Sequence, residues 1–258
     1  MILMVCVSSV EAASVTQKAR YYEVYWNGLH IGDLIGEIKE EDGHTTMATF
    51  MRSNDMMQIV APYNNIAHGS IATANNRLLA SSFEDQIRFR RKNKYIELHY
   101  DNDGNIARNT IIPPEDPNKR PTVPMNMLKD SVDPFTAVLL VRKQVRDYLL
   151  EGKNNRFSKN IFEGRSLFTL QVDIRGRETI ELNKRPVSVI HITLSRQPIA
   201  GYTAKELLKM PAQNPVIDVY LEDNPSLLPV RATGQALVGS AMAVLKKECT
   251  SIDECLRD

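Results

Sequence analysis

Two forced chain reversals near the start constrain this sequence more than any other feature. Residues 21–26 are an aromatic, strand-forming run, and Asn27-Gly28 follows directly. A two-residue hairpin needs positive φ at both turn positions, which Asn and Gly tolerate best. Residues 29–39 then read as the return strand, in which Gly32 and Gly36 permit a bulge or strong curvature. Asp42-Gly43 is a second turn of the same kind and leads to a third strand over 45–52. A chain that opens this way builds antiparallel sheet.

The pattern continues. Residues 84–91 and 95–100 form another pair, and Asp103-Gly104 turns the chain into 106–112. Pro113, Pro114, Pro117, Pro121 and Pro124 then fix φ and remove ladder donors, which makes an extended connector. One long helix follows over 134–151. Asp133 is its N-cap and Pro134 takes the favoured first position. Phe135, Val138, Leu139, Val145, Tyr148 and Leu149 recur at three- and four-residue spacing, and Gly152 supplies the stop. Strands resume over 167–174, 179–182 and 187–194. Thr203 with Glu206 forms a capping box for a short helix over 204–210, ended by Pro211. A strand over 216–221 and a last long strand over 230–245 complete the series.

At 258 residues, with 43% apolar and 24% charged side chains, the composition is that of a folded globular chain. The formal net charge of +1 gives no global field to attract nucleic acid, so no nucleic-acid partner is expected.

The first residues read as a signal peptide over 1–12. Met1 to Val7 are apolar, and Val10 and Ala12 suit the −3 and −1 sites for cleavage after Ala12. No Lys or Arg precedes the run, so its basic start is expected upstream or clipped; a buried first strand is the competing reading. The run is far short of the roughly 20 apolar residues of a membrane-spanning helix. Val5 is too bulky before Cys6 for a good lipoprotein processing site. The expectation is a soluble, exported, periplasmic protein that meets membranes at most peripherally. After cleavage only Cys249 and Cys255 remain, and an oxidising compartment would let them close a small loop worth about 2 kcal/mol. Two unpaired thiols are the alternative.

The chemistry-bearing residues are sparse. His30, His44, His68, His99 and His191 are dispersed and show no metal-binding spacing. There is no nucleophile elbow, phosphate-cradling loop or carboxylate pair whose spacing argues acid–base work. No catalytic residue, metal site or cofactor is assigned. Arg88, Arg90, Arg91, Lys92 and Lys94 form the most charged run. It reads either as an anion patch, for instance for lipid phosphates, or as the solvated tip of a hairpin guarding an edge. Met47, Met51, Met56 and Met57, with Met125 and Met127, suit an adaptable apolar surface or ordinary core filling.

Several segments together resemble the exported bacterial family known as domain of unknown function 3108. They are Tyr22-Glu23-Val24-Tyr25-Trp26-Asn27-Gly28-Leu29-His30-Ile31-Gly32, then His68-Gly69-Ser70-Ile71-Ala72, then Asp133-Pro134-Phe135-Thr136-Ala137-Val138-Leu139 with Arg142. Val219-Tyr220-Leu221-Glu222-Asp223 and Leu228-Pro229-Val230-Arg231 complete the order. The resemblance implies a long antiparallel sheet curling around a central helix, similar to the lipoprotein carriers LolA and LolB, and carries no catalytic residues. The Pro-rich connector, the short helix over 204–210 and the Cys pair depart from the pattern.

The expected fold is therefore mainly β: a curved antiparallel sheet, half-barrel or β-spiral, wrapped around one central α-helix. It forms a single domain over 20–248 with a tail over 249–258. The leading expectation for function is an envelope protein, not an enzyme, holding a lipid, acyl chain or other apolar ligand in the concave face. The alternative is a structural or assembly factor acting through envelope protein partners. A hydrolase would require His191 or His99 clustered with carboxylates in a cleft.

Overall fold

A computed structural model describes residues 15–257 apart from 76, 153, 214, 215 and 236–238; the expected signal peptide lies outside the described residues. The sheet has 13 strands in the order β7-β6-β5-β4-β3-β2-β1-β13-β12-β11-β10-β9-β8, each antiparallel to its neighbours. The N-terminal half contains β1 (Thr16–Trp26), β2 (Leu29–Glu41), β3 (His44–Ser53), β4 (Tyr63–Ala74), β5 (Arg77–Phe89), β6 (Lys92–Tyr100) and β7 (Ile106–Ile112). A short helix, α1 (Asp55–Val60), joins β3 to β4. The long helix α2 (Pro134–Glu151) precedes β8 (Arg156–Phe162), β9 (Leu167–Leu182) and β10 (Arg185–Ala200). Then come α3 (Ala204–Gln213), β11 (Ile217–Glu222), β12 (Pro229–Gln235), β13 (Ser240–Cys249) and α4 (Ile252–Cys255).

The hairpins form for the reasons the residues give. Asn27 and Gly28 sit at φ 48° and 79°, and Asp42 and Gly43 at 47° and 76°. Ile31 is the extra residue of a bulge, because Val24 pairs with Gly32 while Tyr25 pairs with His30. Gly32 is obligatory beside it: an added Cβ would lie 2.4 Å from the Arg52 carbonyl oxygen. The sheet is not closed, and β7 and β8 are its edges. The side-chain amide of Asn109 on β7 nevertheless donates to the Gly164 carbonyl just beyond β8 at 2.8 Å, so the sheet bends its two edges towards each other.

Three expectations are corrected. The last long strand, 230–245, is two strands: β12 and β13 pair with each other, and β13 returns against β1. Residues 230–245 carry a single charged side chain, Arg231, and their apolar character hides the reversal, which Gly239 marks with φ 82°. The two strands over 167–174 and 179–182 are one strand, β9, in which Arg175 is a bulge residue and Gly176 takes φ 113°. The short helix runs on to Gln213, past Pro211.

α2 follows its sequence signals. The Asp133 carboxylate accepts from the backbone N–H groups of Phe135 and Thr136 and from the Thr136 hydroxyl, and Gly152 ends the helix at φ 68°. Phe135 and Leu139 enter a core cluster with Ile38, Ile71, Phe83 and Leu98 of the N-terminal strands. Val141 and Val145 enter a second cluster with Val172, Ile174, Ile190, Ile192 and Leu221 of the C-terminal strands. Phe135 meets Phe83 edge-on at 5.7 Å, and its ring takes the space where a Cβ on Gly69 would sit, 2.5 Å from Cδ2. Phe135→Ala should therefore cost about 3–5 kcal/mol, measured by urea denaturation, since it leaves a cavity the glycine backbone cannot refill.

Arg20, on the same face as Tyr22, is buried and ion-paired with Glu222 and Glu248 while donating to the Pro229 carbonyl. The Tyr22 hydroxyl donates to the same carbonyl at 2.7 Å. Burial pushes the Tyr22 phenol up to about 12 from its usual 10.0, against the pull of Arg20. The stability this neutral phenol contributes is complete below pH 10.0 and is lost as pH rises towards about 12. Tyr22→Phe should flatten the fall in unfolding free energy across that alkaline window in denaturant titrations at stepped pH.

Candidate functional site

An apolar groove lies between α2 and the strands β9, β10 and β11, with a volume of about 220 Å³. The period of α2 aims Val141 at the strands and leaves Ala137 and Val138 along the groove, while Leu170, Ile192, Leu194 and Val219 form the opposite wall. Arg142 is the one charged residue on the lining, and two of its nitrogens are engaged elsewhere. Nε donates to the Ser226 carbonyl at 2.9 Å, and a terminal nitrogen meets Glu40 at 3.1 Å. The groove therefore presents hydrocarbon. Val138 is 39% exposed at its mouth.

A larger cleft of about 600 Å³ lies at the end of the sheet that holds the β2–β3 turn. Its wall includes Glu40, Glu41, Asp42, Arg142, Lys143, Arg146 and Asp147, with His44 at the margin. Lys143 pairs with Asp147 at 2.8 Å and Arg142 with Glu40, so its charges largely satisfy one another. Such a wall offers no dry surface to an apolar ligand.

The predicted basic run divides. Arg88 is the penultimate residue of β5, Arg90 and Arg91 form the turn, and Lys92 starts β6; all four are exposed. Arg90 takes φ 55° and lies over the Phe89 ring at 5.3 Å. Lys94 is set apart. It is partly buried and ion-paired with Glu115, and burial pulls its ammonium below the usual lysine range despite that partner. Burial would raise Glu115, but Lys94, Arg165 and Arg120 hold it below the ordinary carboxylate value.

The histidines stay dispersed. His191 meets Asp218 at 2.8 Å and Glu178 at 3.6 Å and stacks on Tyr220 at 4.8 Å. It alternates with the buried Ile190 and Ile192, so it faces away from the core, and it lines neither cavity. His99 likewise meets Glu97 at 2.8 Å on the outer face of β6. The carboxylate partners that a hydrolase would need are present, but neither histidine lines the groove or the charged cleft. Among the methionines, Met47 packs against the core, Met57 is partly buried, and Met56, Met125 and Met127 are exposed.

The sequence missed the groove residues of β9 and β11 as a set, because alternation assigns a face without showing which strands lie beside the helix. It also missed α1 and α4. Their capping residues, Asn54 and Ser251, were the available signals: each side chain accepts from the N–H three residues on.

The fold defines a class: an open, mainly antiparallel sheet carrying one long helix against it. The family model described as "Protein of unknown function (DUF3108)" matches residues 21–246, and the chain belongs to that family. No curated protein matches the chain. A solved structure with a similar fold is the beta-barrel-like protein of domain of unknown function DUF1849 from Brucella abortus. It is 9% identical, with 92% of this chain and 98% of that one covered, at a TM-score of 0.53. The lipoprotein LppX from Mycobacterium tuberculosis aligns over 93% of this chain and 90% of its own at 11% identity, with a TM-score of 0.26. No helix among the described residues is long and apolar enough to cross a membrane.

Cys249 and Cys255 form a disulfide with Cα atoms 5.6 Å apart. Cys255 is buried with Ala19 and Ile35 on the sheet face opposite Tyr22 and Leu34, where Ile252 of α4 also packs. The Ile252 N–H donates to Glu37 at 2.8 Å. Replacing both cysteines by Ser should lower stability by about 2 kcal/mol and increase exchange of the Ile252 amide, read by denaturation and hydrogen exchange.

Proposed function

We propose that this protein is an exported, periplasmic envelope protein that binds an acyl chain in the groove beside α2, and that it is not an enzyme. The single observation behind this reading is the groove wall: aliphatic and aromatic side chains from one helix and five strands, with the lone charged residue tied to other partners. Hydrocarbon entering it loses no hydrogen bonds and leaves water at about 25 cal/mol per Å² of buried apolar surface. The volume of about 220 Å³ is below the 300–1,000 Å³ usual for small-molecule sites. The groove thus takes part of an acyl chain and leaves the headgroup outside. In this reading the sheet of one domain, over 20–248, curls around α2, and the helix is both filler and groove wall.

That near-filling also favours the second reading, an assembly factor of the envelope working through protein partners. The two separate on ligand binding. A fluorescent fatty acid should bind the wild-type chain saturably. Val138→Trp, which places an indole at the exposed mouth, should weaken binding at least about tenfold, a cost of about 1.4 kcal/mol, while thermal unfolding stays unchanged. Absence of binding by the wild type, or equal binding by the variant, contradicts the acyl-chain reading.

A further inference from the structure

The end of the sheet carrying the β1–β2 and β5–β6 turns exposes apolar side chains that the fold has not used. On α1, Ile59 is 86% and Val60 66% exposed, with Met56 beside them. Phe89 stands out from the end of β5, and Trp26 and Leu29 flank the β1–β2 turn. These positions form one structure. The Asn54 side chain that caps α1 also donates to the His30 carbonyl, next to Leu29. The Arg90 N–H donates to the Pro62 carbonyl at 2.9 Å, tying the β5–β6 turn to the loop after α1. Met57, Tyr63 and Phe89 share the wall of a hollow of about 280 Å³ beneath the helix. Leaving Ile59 and Val60 in water serves no folding purpose, since α1 buries none of its residues fully.

Cations stand beside this patch. Arg88, Arg90, Arg91 and Lys92 are exposed, and among the described residues none of them forms an ion pair. Asp55, in the first turn of α1, is the carboxylate on that helix. Apolar side chains rimmed by lysine and arginine match a bilayer with anionic headgroups: hydrocarbon enters the acyl boundary while cations meet phosphates. A protein interface also enriches arginine, methionine and aromatics, but four cations clustered over five residues with no ion-pair partner among the described residues match a surface of many phosphates better.

We propose that α1 and the β5–β6 turn form a membrane-docking surface for an anionic bilayer. Ile59, Val60 and Phe89 enter the interface, and Arg88, Arg90, Arg91 and Lys92 engage lipid phosphates. Docking is independent of what the α2 groove holds. The test is cosedimentation of the full chain with phosphatidylcholine vesicles, with and without phosphatidylglycerol. The wild type should bind the anionic vesicles and lose most binding at high salt. Arg91→Gln with Lys92→Gln should weaken binding about tenfold or more, and Ile59→Ser with Val60→Ser should abolish it at every salt concentration. All four positions are exposed, and unchanged thermal unfolding confirms intact folding. Failure of the wild type to bind anionic vesicles overturns the proposal, as does equal binding by Ile59→Ser with Val60→Ser. Concentration-dependent self-association of the wild type that the same serine variant removes, without vesicle binding, reassigns the patch to a protein contact and also overturns it.

Discussion

The structure depends on α2 being buried on two sides at once. Phe135 and Leu139 complete the core of the N-terminal strands, while Val141 and Val145 complete that of the C-terminal strands. A sheet of 13 strands with free edges has no closure of its own to hold its curvature. The helix supplies the common surface on which both halves lose water, and its start is fixed by the buried Asp133 carboxylate. Burial raises that carboxyl above the ordinary aspartate value, although bonds from Thr136 and Phe135 draw it down. Groove geometry and core stability therefore rest on the same helix, and a shift of α2 would alter both.

The groove reaches towards the end of the molecule that bears the exposed patch, while Arg142, on its lining, also lines the charged cleft. Leu194, on the groove wall, pairs with Ile217 at the start of β11, and that strand end lies on the same side of the sheet as the β1–β2 turn. The opposite end carries the charged cleft around Glu40, Arg142 and Asp147. The molecule is thus polarised, with unused hydrocarbon at one end and satisfied ion pairs at the other.

Much of the architecture was legible because its signals are local. Asn27-Gly28 and Asp42-Gly43 state their own backbone angles, Asp133 and Gly152 bracket α2, and Thr203 with Glu206 makes the expected reciprocal cap at 2.7 and 3.2 Å. The disulfide was visible in cysteine count and spacing. Errors arose where local pattern and chain direction part company. The β12–β13 reversal falls inside a stretch with one charged residue, Arg231, and Arg175-Gly176 looks like a turn although a bulge carries β9 straight through. The site was the least legible part. Val219 and Leu170 are ordinary strand residues until pairing places them opposite Val138. Lys94 is indistinguishable from Lys92 in sequence, yet one is ion-paired with Glu115 and the other exposed.

Native mass spectrometry of the protein, isolated gently from the cells that make it, bears most directly on the proposal that the groove beside α2 holds hydrocarbon. The account predicts a reproducible added mass that dissociates as an acyl-bearing lipid and is absent from Val138→Trp. A bare protein mass for the wild type, unchanged after incubation with a total lipid extract, would contradict it.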